Sequence, residues 1–272
     1  MKNKRKVLYT GTYIPGNSFI HRMNSLAKTL CFFFLATACI ITGDIAGYLI
    51  IMIMLLIIIK LSALPIRAVF HTVIRLRFFF IFILIINSFF YSSENPLYTF
   101  GIINITLEGI FYGLRILFNI FYITSLANIL TAATSPMEIC SSLTSILKPL
   151  KIFRINIENI SMILSISLRF IPSLLDEAEL IKKAQISRGA KFESRKIRDK
   201  IQSYLQFLVP VFISAFRRAD DLSLAMEARG YSSHLKRTKK RGMPFRIPDY
   251  IALGCSITTC IFQILFKVDA IW

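Results

Sequence analysis

One tryptophan, three histidines and 15 acidic residues are all of those types that 272 residues contain, and each scarcity removes a class of function. His21, His71 and His234 stand far apart, with no spacing that would gather imidazoles around a metal. The five cysteines, at positions 31, 39, 140, 255 and 260, form no Cys-x-x-Cys pair. Four of them fall inside apolar runs, where a cysteine behaves as a small buried hydrophobe. The phosphate-cradling pattern Gly-x4-Gly-Lys-Ser/Thr occurs nowhere, so the chain is not expected to hydrolyse nucleotide itself. There is no Ser/His/Asp set and no paired-carboxylate arrangement. Asp176, Glu177 and Glu179 read instead as a solvated or ion-paired helix face. No catalytic residue, cofactor site or metal ligand is therefore expected. A short apolar stretch with a cleavage site is also missing, which argues against a cleavable signal peptide.

What is present is apolar and basic. Hydrophobic residues make up 55% of the chain, with 24 Phe, and 33 Lys and Arg bring the formal net charge to +18. A soluble domain needs more polar cover than this, so the composition predicts a multi-pass membrane protein. The charge suits anionic lipid or an acidic protein partner; without any nucleic-acid-binding motif, nucleic acid is not an expected partner. Five segments read as membrane helices: Thr29–Thr42, Ile45–Ile59, Phe78–Tyr91, about Ile105–Leu130, and Tyr250–Phe266. The first 30 residues carry six basic residues and no acid, and residues 151–246 carry twenty more. By contrast, positions 43–44 and 92–104 have no Lys or Arg. Five spans with the N-terminus inside place every basic cluster in the cytoplasm, as the positive-inside rule requires. The expected division is a cytoplasmic N-terminal segment (1–28), four membrane helices (29–133), a cytoplasmic region (134–248), and a fifth membrane helix with the C-terminus (249–272).

The region 134–248 is the most informative. Ser135, Pro136 and Glu138 have the order of an N-cap, a first helical residue and a reciprocal cap partner. Two long helical patterns follow, from about Asn156 to Arg188 and from Lys200 to Arg229. The stretch 160–175 is apolar, but Arg169, Pro172 and several Ser and Asn favour an interfacial helix over a span. Each pattern keeps a stripe at 4,3,4,3 spacing. One runs Ile160, Leu164, Ser167, Ile171, Leu174, Ala178, Ile181, Gln185, Arg188; the other runs Leu205, Leu208, Phe212, Ala215, Ala219, Leu222, Met226, Arg229. The small residues Ala178, Ala215 and Ala219 suit a close helix crossing, and Glu177, Glu179, Lys183, Arg217, Arg218 and Asp220 are expected off the seam. Both stripes end alike, in Ser187-Arg188-Gly189 and Ala228-Arg229-Gly230. Cations and a following glycine suit any helix end. An arginine in phase with an apolar seam, presented twice, also suits insertion into a partner's groove.

Four ordered segments carry a family resemblance: "YIPGNSFIHRMNSLAKTL", "LTAATSPMEICSSLTSILKPL", "SLRFIPSLLDEAELIKKAQISRGA" and "LVPVFISAFRRADDLSLAMEARGY". Together they resemble the T component of energy-coupling factor transporters, the transmembrane scaffold of that family. The resemblance implies an all-α integral membrane protein with cytoplasmic coupling helices crossing in an X. It implies that Ser187, Arg188 and Gly189, and Ala228, Arg229 and Gly230, dock two ABC-type ATPase subunits. Here Ser187 departs from the Ala-Arg-Gly pattern, and unequal motifs favour an ATPase heterodimer. A small membrane substrate-capture (S) component would be the third partner, in an importer of the cell membrane. The N-terminal segment is more similar to members that share several capture subunits, usually for vitamins, than to dedicated cobalt or nickel members. Two other readings stay open: a membrane-embedded enzyme acting on lipid or isoprenoid, motivated by Glu108 and Arg115 inside the fourth apolar segment, and a channel or anion-binding protein whose basic loops engage anionic headgroups.

Overall fold

The computed structural model describes residues 13–14, 16–65, 73–90, 98–100, 103–153, 157–232 and 244–269. The basic cluster Lys2–Lys6, residues 91–97 and the run "KRTKKRG" at 236–242 lie outside the described residues. Helices dominate: α1 (Phe19–Arg22), α2 (Ser25–Ile41), α3 (Ile45–Ser62), α4 (Arg77–Phe90), α5 (Leu107–Ala133), α6 (Pro136–Ile146), a 3-10 turn at Lys148–Phe153, α7 (Ile157–Ser187), α8 (Ile197–Ala228) and α9 (Ile247–Asp269). The one β feature among the described residues is a short ribbon, β1 (Tyr98–Phe100) antiparallel to β2 (Ile103–Ile105), paired Tyr98 to Ile105. This is an all-α integral membrane protein. Among the described residues, four helices are long and apolar enough to cross a bilayer, at 45–62, 107–133, 159–187 and 247–267; α2 and α4 are shorter apolar helices. Asn159–Ser187 is the least apolar of the four and carries the polar residues that favour an interfacial position.

The chain forms two compact units, residues 1–146 with 243–272, and residues 147–242. In the first, α2 is the central helix and packs on α3, α5, α6 and α9. Its burial explains its 17-residue length: a helix walled by other helices need not match the bilayer by itself. Ala27 and Ala38 are fully buried on it, where small side chains let backbones approach. The core beside it gathers Leu35, Cys39, Ile51, Leu55, Tyr122, Leu126 and Ile129. Helix α6 belongs to this first unit, so the second unit is narrower than the 134–248 region expected from sequence.

Helix ends are closed by local chemistry. The N-cap of α6 has the reciprocal pattern: Glu138 N–H donates to Ser135 Oγ at 3.3 Å, and Ser135 N–H donates to Glu138 Oε2 at 3.2 Å. Asp249 links two helices. Its carboxylate accepts from Arg246 N at 2.8 Å, ahead of α9, and from Asn24 N at 3.0 Å, the N-cap of α2. Lys28 is buried close by and donates to His21 O at 3.2 Å and Ala133 O at 3.1 Å, capping the carbonyl ends of α1 and α5. Gly47 on α3 lies against Gln263 of α9. Gln263 donates to its carbonyl at 3.1 Å, and a Cβ on Gly47 would stand 2.5 Å from Gln263 Oε1. Gly47→Leu is accordingly expected to lower stability by about 2–3 kcal/mol through overpacking, read as a lower thermal midpoint in detergent.

In the second unit, α7 and α8 pack on each other. The seam differs from the sequence expectation in phase. Leu174, Ala178, Ile181 and Gln185 on α7, and Ala215, Leu222 and Met226 on α8, are half-buried. Leu205, Leu208 and Phe212 are exposed at 56%, 40% and 59%, and Ala219 is exposed as well. The charged pair expected off the seam is on it. Arg218 meets Glu177 at 2.5 Å and Ser173 Oγ at 2.6 Å, and Ser214 Oγ donates to Glu177. The guanidinium fork satisfies two partners on the facing helix, which offsets the cost of partly covering it. Each helix also carries one internal proline, Pro172 and Pro210, both just N-terminal to this contact.

Candidate functional site

The two Arg-Gly ends share one backbone geometry. At the end of α7, Gly189 has φ +91°, its N–H donates to Ile186 O at 2.9 Å, and Ala190 N–H donates to Gln185 O at 3.0 Å. At the end of α8, Gly230 has φ +69°, its N–H donates to Glu227 O at 2.9 Å, and Tyr231 N–H donates to Met226 O at 3.0 Å. Both are Schellman closures, in which a left-handed residue satisfies the last carbonyls. A Cβ on either glycine would meet nothing within 4 Å, so the requirement is conformational rather than steric. Gly230→Ala is expected to cost ~1–2 kcal/mol locally, seen as faster hydrogen exchange of the Gly230 and Tyr231 amides with little change in global melting.

Each closure fixes the arginine before it. Arg188 and Arg229 are exposed, and neither guanidinium hydrogen-bonds or ion-pairs with another described residue. Ser187 is exposed with its hydroxyl donated to Lys183 O at 3.2 Å, and Ala228 is exposed. The loop after Arg188 is held down: Phe192 packs edge-on against Tyr204 and Phe207, with ring centroids 5.6 and 6.2 Å apart, Lys182 stands over its ring, and Lys191 N–H donates to buried Ser203 Oγ at 2.8 Å. The chain therefore turns back after Arg188, and the two arginines lie on opposite sides of the Glu177–Arg218 pair. Each is eleven residues beyond its own member of that pair, about 16 Å along the helix axis. Two arms of equal length thus end in exposed arginines held by the same backbone closure.

The residues behind the enzyme reading have structural roles. Glu108 stands in the first turn of α5, where the helix dipole favours a carboxylate. Arg115, two turns further on, donates to Gly43 O in the α2–α3 hairpin. Among the described residues no group of His, Cys, Asp and Glu is placed to hold a metal ion. Sequence reasoning did not find the Glu177–Arg218 pair or the Asp249 link, because both depend on which distant helix lies opposite.

An apolar helical bundle and a pair of long amphipathic helices in one chain define a multi-pass membrane protein. Residues 16–240 match the model of the CbiQ family, described as cobalt transport protein. The chain is similar to the energy-coupling factor transporter transmembrane protein EcfT of Staphylococcus aureus, 35% identical over 271 residues covering all of both chains. It is 34% identical to that of Macrococcus caseolyticus over 94% of this chain and 97% of the relative. It is also 34% identical to that of Limosilactobacillus fermentum over 98% of each. The chain belongs to this family, the transmembrane components of energy-coupling factor transporters, and is a transporter subunit rather than an enzyme.

Proposed function

We propose that the chain is the coupling scaffold of an ATP-driven micronutrient importer of the cell membrane, with its N-terminus in the cytoplasm. Arg188 and Arg229, with Ser187, Gly189, Ala228 and Gly230 around them, dock two ABC-type ATPase subunits. The observation that carries this reading is the pair of equal arms, each closed by a left-handed glycine and tipped by an exposed arginine without a hydrogen-bond or ion-pair partner among the described residues. Arginine's planar fork bonds carboxylates or carbonyls bidentately, and arginine is enriched among residues that dominate interface energy. The unequal Ser187 and Ala228 support two different ATPases. Hydrolysis in those partners changes the angle between α7 and α8, and the half-buried small residues Ala178 and Ala215 suit a crossing that must shift.

The exposed apolar flank of the same helices suits a membrane partner. Ile163, Leu175, Val209, Phe212, Ile213 and Phe216 are each at least 48% exposed. A large uncovered apolar surface on two crossed helices supports docking of a hydrophobic substrate-capture subunit there. That subunit selects the vitamin or other small nutrient. Mass spectrometry of the complex that co-purifies with the full chain in detergent tests the assignment. Two cassette ATPases and one small hydrophobic protein are expected; a chain that purifies alone from its native membrane, with no ATPase at any salt concentration, would overturn it.

A further inference from the structure

The first unit contains a recess that the coupling function leaves unexplained. It is a cavity of ≈510 Å³ with apolar walls from five helices, including Met23, Phe32, Leu35, Ile57, Leu126 and Ile251. That volume is within the ~300–1,000 Å³ of small-molecule sites. A second, polar hollow of ≈350 Å³ adjoins it in the chain, lined by Arg22, Asn24, Pro244 and Arg246. Arg22 precedes Met23 and Arg246 precedes Ile247, and both Met23 and Ile247 line the apolar recess. Both guanidinium groups are exposed and make no ion pair with a described residue. The nearest buried carboxylate, Asp249, is already engaged by the backbone N–H groups of Arg246 and Asn24. Lys28 adds a third positive charge in the recess wall, held by the carbonyls of His21 and Ala133.

Depth identifies the occupant. Along α9 the lining runs from Ile247 to Ser256, about 14 Å of helix rise, which is close to half of a ~30 Å hydrocarbon core. The contributions of α2, from Lys28 to Leu35, and of α3, from Met54 to Leu61, come from the same end of the bundle. A partner's membrane helix would need a groove running through both leaflets, whereas this one stops in the first. Apolar walls one leaflet deep beneath a paired-arginine rim match an acyl chain below a phosphodiester.

We infer that the recess between α2, α3, α5 and α9 is a binding site for a single anionic phospholipid, its phosphate on Arg22 and Arg246. Native mass spectrometry of the full chain in detergent, titrated with dioleoyl phosphatidylglycerol or dioleoyl phosphatidylcholine, tests it. Retention of the anionic lipid as a one-to-one adduct at least tenfold tighter than the zwitterionic one is expected. R22Q/R246Q should erase that preference without changing thermal melting, since both side chains are exposed. Ala252→Trp, which fills the recess, should weaken both lipids. Equal retention of the two lipids, or an undiminished preference in R22Q/R246Q, would overturn the inference. So would competition by millimolar glycerol 3-phosphate alone, which would assign the rim to a free phosphate. Loss of the bound lipid when the co-purifying membrane partner is present would assign the recess to a protein helix and overturn it equally.

Discussion

Replacing both Arg188 and Arg229 by glutamate is expected to release the ATPase subunits from the purified complex. An arginine buried at the centre of an interface costs roughly 2 kcal/mol or more when truncated, which is about a 30-fold loss of affinity. Charge reversal adds repulsion to that loss. The two tips are far enough apart to act independently, so their effects should add to roughly 1,000-fold in the double variant. Arg217→Glu provides the control. It makes the same change of charge at an exposed position on α8, one residue from the Glu177–Arg218 pair. Co-purified ATPase, measured at several salt concentrations, should fall steeply for each tip variant and only slightly for Arg217→Glu. Equal losses in all three would reduce the effect to general electrostatics and remove the specific role of the tips.

The second large effect is expected at Asp249. This carboxylate is 1% exposed and accepts two backbone hydrogen bonds, one from each of two helix N-termini. Asp249→Ala strands both part-buried donors and removes one of the two carboxylates, beside Glu138, whose charge favours the Lys28 ammonium. Loss of a partner in such a network costs about 3–5 kcal/mol. For a chain of this size that is on the order of a 10 °C fall in the thermal midpoint. Asp249→Asn retains one carbonyl acceptor and should fall between. Because the residue ties α2 to α9, the loss should appear as global unfolding and not as fraying of α9 alone.

Local grammar made much of the fold readable in advance. Ser135 and Glu138 announced the start of α6, the glycines after Arg188 and Arg229 announced the ends of α7 and α8, and apolar runs located α3, α5 and α9 to within a few residues. The phase of the α7–α8 contact was not readable. A stripe such as Leu205, Leu208, Phe212 repeats with the helix period whether it faces a helix of its own chain or a surface still uncovered. Leu222 and Met226 satisfy the first condition, and Leu205, Leu208 and Phe212 the second. Glu177 and Arg218 were misplaced for a related reason: on a helical wheel they look like solvent-facing charges, and only the opposing helix makes them a pair. Asp249 and Asn24 are separated by 225 residues, a link no local pattern encodes.

The prolines have a mechanical consequence. Pro172 and Pro210 have no N–H to donate to the carbonyls of Leu168 and Gln206, so one rung of each ladder is missing just upstream of the Glu177–Arg218 pair. Stiffness in a helical rod is lowest at a broken rung. Beyond it, residues 173–187 and 211–228 are uninterrupted helix. Under the proposed coupling role, torque applied at either tip would reach the Glu177–Arg218 pair through unbroken helix, with the missing rung beyond it.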